Sequence, residues 1–173
     1  EKHLQLLLQD QTAPNHVFCY IDVDQFKVIN DTCGHKAGDK LLIQIAHLIK
    51  CELQPSDVLS RLSGDEFAVL FMNTSATQAQ AKLNKVMDKI RHFEFIDHDL
   101  LFNSSISVGM VNITPTSTMT DIFKQADNAC YAAKEAGRDR IHVFSSHDQE
   151  IVQRSGEMRW VSRIQQALSN DRL

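Results

Sequence analysis

The chain has 173 residues, 43% of them hydrophobic, and a formal net charge of −4 at pH 7. This length and composition predict a single globular domain with a substantial core. The acidic balance offers no broad positive surface, so we expect no nucleic acid among the partners.

The cysteines and the absence of long apolar runs bear on location. Four cysteines occur without a Cys-x-x-Cys pair, and Cys19 and Cys130 fall on apolar positions. This predicts buried free thiols in a reducing compartment. No segment approaches the roughly 20 apolar residues that span a bilayer, and we expect no signal peptide at the start of this sequence. We therefore expect a cytoplasmic domain excised from a parent protein that can itself be membrane-anchored.

Hydrophobic spacing predicts alternating strands and helices. The first half of the chain predicts a helix over residues 1–11, a strand over 17–22, a short helix over 26–32 and a longer helix after the Gly34–Gly38 bend. A hairpin of strands 58–62 and 67–71 follows, and then a helix over 78–91. The second half predicts a strand, a turn near 97–99, a long strand ending at 111, a helix over 117–136 and a strand over 141–144. The longer helix has an apolar face of Leu41, Leu42, Ile45, Leu48 and Ile49. This order predicts an α+β fold with a mainly antiparallel central sheet flanked by helices.

The last residues differ in character from the rest. After Ser145 the chain becomes polar and then helical again, with Val161, Ile164 and Leu168 in one stripe. We interpret this segment as a linker helix that leads out of the domain; a terminal helix packed on the domain is the alternative. The expected organisation is a domain over residues 1–145 and a linker over residues 146–173.

Two acidic strand ends carry most of the functional information. Residues 61–70 (RLSGDEFAVL) predict a strand, a tight turn and a second strand, with Asp65 and Glu66 at the bend. Upstream, an apolar strand runs into Asp22 and Asp24. If the two strands pair, their carboxylates converge, and two carboxylates ~4 Å apart repel by ~4 kcal/mol at an effective dielectric near 20. Such a cluster favours a cation with oxygen ligands, Mg²⁺ or Mn²⁺. An ordinary solvated turn is the alternative.

Four segments resemble the GGDEF family of diguanylate cyclases in both order and spacing. They are residues 22–39 (DVDQFKVINDTCGHKAGD), 61–67 (RLSGDEF), 107–109 (SVG) and 126–138 (ADNACYAAKEAGR). The resemblance implies a ferredoxin-like palm similar to nucleotide cyclases. It also implies an enzyme that joins two GTP molecules into cyclic di-GMP and works as a homodimer, because each domain holds one GTP. Residues 157–168 (EMRWVSRIQQAL) resemble, less specifically, the first helix of EAL phosphodiesterase domains, which implies an EAL domain in the parent chain.

The reaction indicates what the acids do. A 3′-hydroxyl must be activated for attack on an α-phosphorus while phosphate charge is neutralised, which divalent metals do well. The resemblance assigns the metal to Asp22, Asp65 and the Val23 carbonyl. Asp65 or Glu66 is expected to help deprotonate the hydroxyl, and the sequence does not decide between them. Asp24 receives a mostly structural role.

The resemblance also assigns residues to the substrate. Lys27, Lys134 and Arg138 are expected to bind phosphates, although a lysine or arginine near a helix C-terminus also complements the helix dipole. Asn30 and Asp39 are expected to read guanine, since an amide can donate and accept and a carboxylate can accept from N1 and N2. The roles of two residues stay open.

Asp39 alone would suit the N-cap of the helix that follows it. His35 belongs to the same bend and is expected either to touch the ribose or phosphate or to serve the structure alone.

Two positions depart from the family pattern. Ser63 stands at the first glycine of the signature, where it adds a Cβ and removes freedom at positive φ; we expect reduced or normal activity. The inhibitory product site, Arg-x-x-Asp in the family, reads QPSD over residues 54–57. Gln54 cannot offer the charged fork of an arginine, so only Asp57 remains and product feedback through this site should be weak or missing.

Three hypotheses follow. The first is an active diguanylate cyclase domain. The second is a regulatory module that binds GTP without turnover and controls an attached EAL phosphodiesterase. The third, a scaffold that binds neither nucleotide nor metal, would not need so many polar site residues.

Overall fold

The computed structural model of the protein describes residues 15–98 and 100–148. The strands in this part are β1 (His16–Val23), β2 (Val58–Ser63), β3 (Glu66–Phe71), β4 (Glu94–Asp97), β5 (Leu100–Asn103), β6 (Ile106–Ile113) and β7 (Ile141–Val143). The helices are α1 (Phe26–Cys33), α2 (His35–Lys50), α3 (Ala76–Arg91) and α4 (Met119–Glu135).

Five strands form the central sheet in the order β2-β3-β1-β6-β7. β1 lies in the middle and pairs antiparallel with β3 on one side and β6 on the other. β2 and β3 form an antiparallel hairpin, whereas β7 runs parallel to β6. The predicted α+β fold with a mainly antiparallel sheet is therefore confirmed.

Both faces of the sheet are covered, which explains why β1 is apolar along nearly its whole length. Alternate β1 residues point to opposite faces. Val17, Cys19 and Ile21 join a core with helices α1 to α3, whereas Phe18 packs with the residues of α4. Cys19 and Cys130 are buried as predicted, and the cysteines in the described part are free thiols.

Helix α4 lies unusually close to the sheet. Its inward residues Ile122, Ala126, Ala129 and Ala133 are fully buried, as the spacing predicted. A Cβ added to Gly109 on β6 would lie 2.0 Å from the carbonyl oxygen of Ala126. A glycine on the strand therefore lets the helix backbone approach the sheet directly.

Two predicted boundaries need correction. The long strand predicted to end at residue 111 is in fact two strands, because β5 pairs with β4 in a separate two-stranded sheet and β6 begins only at Ile106. Helix α3 begins at Ala76, before the predicted residue 78, because Ser75 and Gln78 form a reciprocal capping box.

The predicted helix over residues 1–11, and residues 149–173 of the linker predicted over 146–173, lie outside the described residues. Among the helices that the structure describes, none is long and apolar enough to cross a membrane.

Candidate active site

The acidic strand ends meet in one row across the sheet. Ser63 pairs with Glu66, Glu66 pairs with Asp22, and Asp22 pairs with Ser107. Directly paired residues share a face with their Cβ atoms about 5 Å apart. The Val23 N–H also donates to the Asp65 carbonyl at 3.2 Å, so the turn lies against the end of β1. The predicted convergence of the two acidic ends is confirmed.

Lys134 of α4 neutralises the centre of this row. Its Nζ lies 2.5 Å from Oδ2 of Asp22, whose side chain is only 11% exposed. Burial raises the pKa of the Asp22 carboxyl and nearby Asp65 and Asp24 raise it further, while Lys134 opposes the shift. The pKa of Lys134 is raised as well, because the Asp22 carboxylate outweighs the effect of burial. A residue predicted to bind phosphate thus lies beside a predicted metal ligand.

Asp24 has a separate and structural environment. Its carboxylate accepts hydrogen bonds from the Ser105 hydroxyl at 2.6 Å, the Ser107 hydroxyl at 2.7 Å and the Asp139 N–H at 3.2 Å. These bonds tie the end of β1 to β6 and to the segment after α4. Its buried oxygens are therefore committed to the fold, in keeping with the structural role expected for it.

Glu66 is surrounded by Ser63, Tyr20 and Asp127. Tyr20 and Asp127 were not identified from the sequence as part of the site. The Ser63 hydroxyl donates to Glu66 Oε2. Burial and a hydrogen bond to Glu66 raise the pKa of Tyr20, and burial and the Glu66 charge raise the pKa of Asp127. Spacing carried a signal for both: Tyr20 precedes Asp22 by two residues on the same strand face, and Asp127 precedes Lys134 by seven on the same helix face.

Asn30 and Asp39, the predicted guanine readers, lie on two helices in contact. A Cβ on Gly38 would fall 2.0 Å from Asn30 Oδ1, so α1 and α2 touch at this point. Asn30 Oδ1 is buried and has no hydrogen-bond partner in the described part of the chain. Asp39 is exposed and lies 3.7 Å from Arg61, whose Nε also donates to the Gly64 carbonyl at 2.9 Å.

The N-cap alternative for Asp39 is wrong. Helix α2 begins at His35, with Gly34 as its N-cap. Asp39 therefore lies in the second turn, where its side chain is not needed by the first N–H groups of the helix.

The remaining predicted substrate residues lie at the surface. Lys27, His35 and Arg138 are exposed, and Arg138 has a left-handed backbone at φ 61° just beyond α4. No hydrogen bond or ion pair holds these three side chains within residues 15–98 and 100–148. Their roles stay predictions.

The remnant of the product site is built differently from what the sequence suggested. The Asp57 side chain is 0% exposed and contacts Lys82 Nζ at 3.0 Å. Its oxygens also accept from the Gln54 N–H at 2.9 Å and the Met72 N–H at 3.1 Å. An open pocket of about 400 Å³ lies beside it, lined by Lys50, Leu53, Gln54, Pro55, Asp57 and Leu59. Asp57 thus serves the fold and presents little free charge to this pocket.

Comparisons with known proteins agree with this architecture. The family model described as "Diguanylate cyclase, GGDEF domain" matches residues 1–140. The chain is similar to the probable diguanylate cyclase DgcE of Escherichia coli, at 37% identity over 147 residues, which is 83% of this chain and 13% of that protein. It is also similar to the cyclic di-GMP phosphodiesterase PdeB of Shewanella oneidensis, at 33% identity over 156 residues, 90% of this chain and 18% of that protein.

Comparison with a solved structure also supports this fold. The GGDEF domain of PA1120 (TpbB or YfiN) from Pseudomonas aeruginosa superposes with a TM-score of 0.79 at 30% identity, covering 88% of this chain and 91% of that one. The chain spans less than a fifth of the length of either curated relative. Because the family model matches most of its residues, the chain belongs to the GGDEF family of diguanylate cyclases.

Proposed function

We propose that this chain is a diguanylate cyclase domain, which condenses two GTP molecules into one cyclic di-GMP and two pyrophosphates with a divalent metal ion. The observation that carries the proposal is the row across β3 and β1, where Glu66 and Asp22 are paired and Lys134 lies 2.5 Å from Asp22. Membership of the family and the similarity to DgcE support it.

The residues present fit a hard divalent cation. Asp65 lies close enough to Asp22 for its charge to raise the pKa of the Asp22 carboxyl, and oxygen donors are what Mg²⁺ and Mn²⁺ prefer. Asp22, Asp65 and the Val23 carbonyl would hold the ion. When bound, it would neutralise phosphate charge and activate the attacking hydroxyl.

The chain's own residues would place the nucleotide. Asn30 and Asp39 would read the guanine edge; the supporting observation is that Asn30 Oδ1 is buried and has no hydrogen-bond partner among the described residues. Lys134, with Arg138 and Lys27, would bind phosphates, and His35 would contact the ribose or a phosphate. Asp65 or Glu66 would take the proton of the 3′-hydroxyl.

Catalysis by this domain requires a second copy. Each domain holds one GTP, so the two must face each other for both bonds to form. We therefore propose a homodimer as the active species, and an EAL domain as a further part of the parent chain.

A second candidate function is a GTP-binding module that regulates an attached phosphodiesterase without turnover. Ser63 in the signature position favours it, as does the similarity to PdeB, which is named a phosphodiesterase. The two candidates differ in turnover and agree in GTP binding.

The test is direct. The chain, held as a dimer by a fused leucine zipper, is incubated with GTP and Mg²⁺, and the products are separated by chromatography. Formation of cyclic di-GMP together with two pyrophosphates per molecule supports the cyclase function. GTP binding without product supports the regulatory module, and neither binding nor product would contradict both.

A further inference from the structure

The contact between Ser63 and Glu66 connects the departure from the family signature with the acidic row. Ser63 ends the edge strand β2 and is paired directly with Glu66, to which its hydroxyl donates. A glycine at this position has no side chain to make such a bond. The serine therefore adds a hydrogen-bond donor beside one of the two predicted catalytic acids.

The groups around Glu66 indicate what the Ser63 hydroxyl does. Glu66 is paired with Asp22 and lies near Asp127, whose pKa its charge raises. The neutral Ser63 hydroxyl donates to the Glu66 carboxylate, and a hydrogen bond to Glu66 also contributes to the raised pKa of Tyr20. Ser63 approaches from β2, on the side of β3 opposite Asp22, so its hydroxyl holds the Glu66 carboxylate from that side.

The turn itself does not need the Ser63 hydroxyl. Arg61 Nε donates to the Gly64 carbonyl at 2.9 Å, and the Val23 N–H donates to the Asp65 carbonyl at 3.2 Å. Both carbonyls of the two-residue turn are thus held by other groups. The hydroxyl acts on the Glu66 carboxylate and not on the turn backbone.

We propose that Ser63 is a positioning residue for Glu66, which holds the carboxylate in one orientation for the condensation of two GTP molecules. This inference rests on the cyclase function proposed above. It makes the serine an active part of the site, where the comparison with the signature alone suggests a tolerated defect.

A stability cycle tests the contact in the whole 173-residue chain without nucleotide or metal. Ser63→Ala, Glu66→Ala and the double variant are unfolded in urea. We expect the two substitutions to be coupled by a factor of about three to ten in the unfolding constant, the range of a typical net hydrogen bond in a protein. Additive effects would overturn the proposal.

Kinetics of the zipper-fused dimer test the role. We expect Ser63→Ala and Ser63→Gly to lower kcat by about three- to tenfold with little change in KM, because the bond orients a reacting group. Ser63→Thr, which keeps the hydroxyl, should retain the rate of the unsubstituted chain. Ser60→Ala, an equivalent change at an exposed position of the same strand, is the matched control and should have no effect.

The outcomes separate this inference from the proposed function. If the unsubstituted chain forms no cyclic di-GMP, the cyclase function is overturned and the positioning role with it. If it forms product and Ser63→Ala or Ser63→Gly is equally fast, only the positioning role is overturned. A variant that loses stability but keeps kcat shows a merely structural serine and also overturns the proposal.

Discussion

Asp22 shows how a single residue is placed under opposing demands. It lies at the end of the central strand, where its side chain is 11% exposed and close to other acids. Burial disfavours its charge, whereas metal binding requires that charge. In the absence of ligands, Lys134 pairs with the Asp22 carboxylate and so stabilises its charged form despite burial.

We expect Asp22→Asn to lower cyclic di-GMP formation by roughly a hundredfold or more, because it removes a charged ligand of the proposed metal without changing the side-chain shape. Magnesium-dependent GTP binding should weaken in parallel. Turnover assays and calorimetry would measure both effects, with Asp31→Asn, an exposed acid of α1, as the control. A rate equal to that of the unsubstituted chain would remove Asp22 from the metal site.

Asp127 gives a prediction about pH. Its carboxyl pKa is raised in the fold, first by burial and then by Glu66. The folded state therefore binds this proton more readily than the unfolded state, so the ionised group lowers stability above the raised pKa. Asp127→Asn should stabilise the nucleotide-free chain near neutral pH by at most about 1 kcal/mol, since the residue is exposed to solvent and its charge is screened.

The gain should fade as the pH falls through the raised pKa toward the ordinary value of about 4, where the acid is neutral in both states. Urea unfolding of both chains near pH 7 and near pH 4 measures the difference. An equal gain at both pH values would show that repulsion is not its cause.

Among the elements, the contact of α1 with α2 governs the proposed guanine site. Gly38 allows α2 to lie against Asn30. A Cβ added to Gly38 would also lie 2.9 Å from the Phe26 ring. Asn30→Ala, Asp39→Ala and Gly38→Ala should each reduce the preference for GTP over ATP, because an unpaired guanine edge group costs about 1–3 kcal/mol. Calorimetry with non-hydrolysable analogues gives the affinity ratio, with Gln44→Ala on the exposed face of α2 as the control. An unchanged ratio in all three variants would exclude this site.

The β2 edge and α3 lead to a prediction about product feedback. Without an arginine at position 54, cyclic di-GMP should bind there roughly ten- to a hundredfold more weakly than a charge-assisted contact would allow. Because Asp57 already pairs with Lys82, Gln54→Arg alone should restore less affinity than Gln54→Arg combined with Lys82→Met. Calorimetric titration would decide it, and tight binding by the unsubstituted chain, lost in Asp57→Ala, would refute the expectation.

Local patterns predicted the elements well because their signals lie within a few residues. The β2–β3 hairpin follows from its turn chemistry and the inward face of α4 from its spacing, and both are confirmed. Contacts between distant segments were not predictable in this way. The pair of Asp57 with Lys82 depends on how α3 packs beside the sheet, and the break before Ile106 depends on the pairing of β5 with β4 in a separate sheet.

At the scale of the whole molecule, the candidate site is assembled from three independent supports. β1 contributes Asp22, the β2–β3 hairpin contributes Glu66, and α4 contributes Lys134. The close packing of α4 on Gly109 leaves the helix little room to shift. Any change of partner by Lys134 must therefore come from rotation of its own side chain.

We expect Lys134→Met to have opposite effects on two ligands. GTP affinity should fall because a phosphate-binding cation is lost. Mn²⁺ affinity of the nucleotide-free chain should rise by about three- to tenfold, because the substitution removes the lysine that competes with the metal for the mostly buried Asp22 carboxylate. Paramagnetic titration of Mn²⁺ and calorimetry with a GTP analogue measure the two, and Lys124→Met, an exposed lysine of the same helix, is the control. Unchanged Mn²⁺ affinity would show that Lys134 does not compete for Asp22.

The ion pair between Lys134 and Asp22 has a thermodynamic consequence. A ligand that draws the lysine toward its phosphates leaves the carboxylate free for a metal, so each of the two ligands should favour the binding of the other. Such coupling is reciprocal: the factor by which nucleotide raises metal affinity equals the factor by which metal raises nucleotide affinity. One side chain shared between two sites would then make the domain load metal and nucleotide together, without any movement of its backbone.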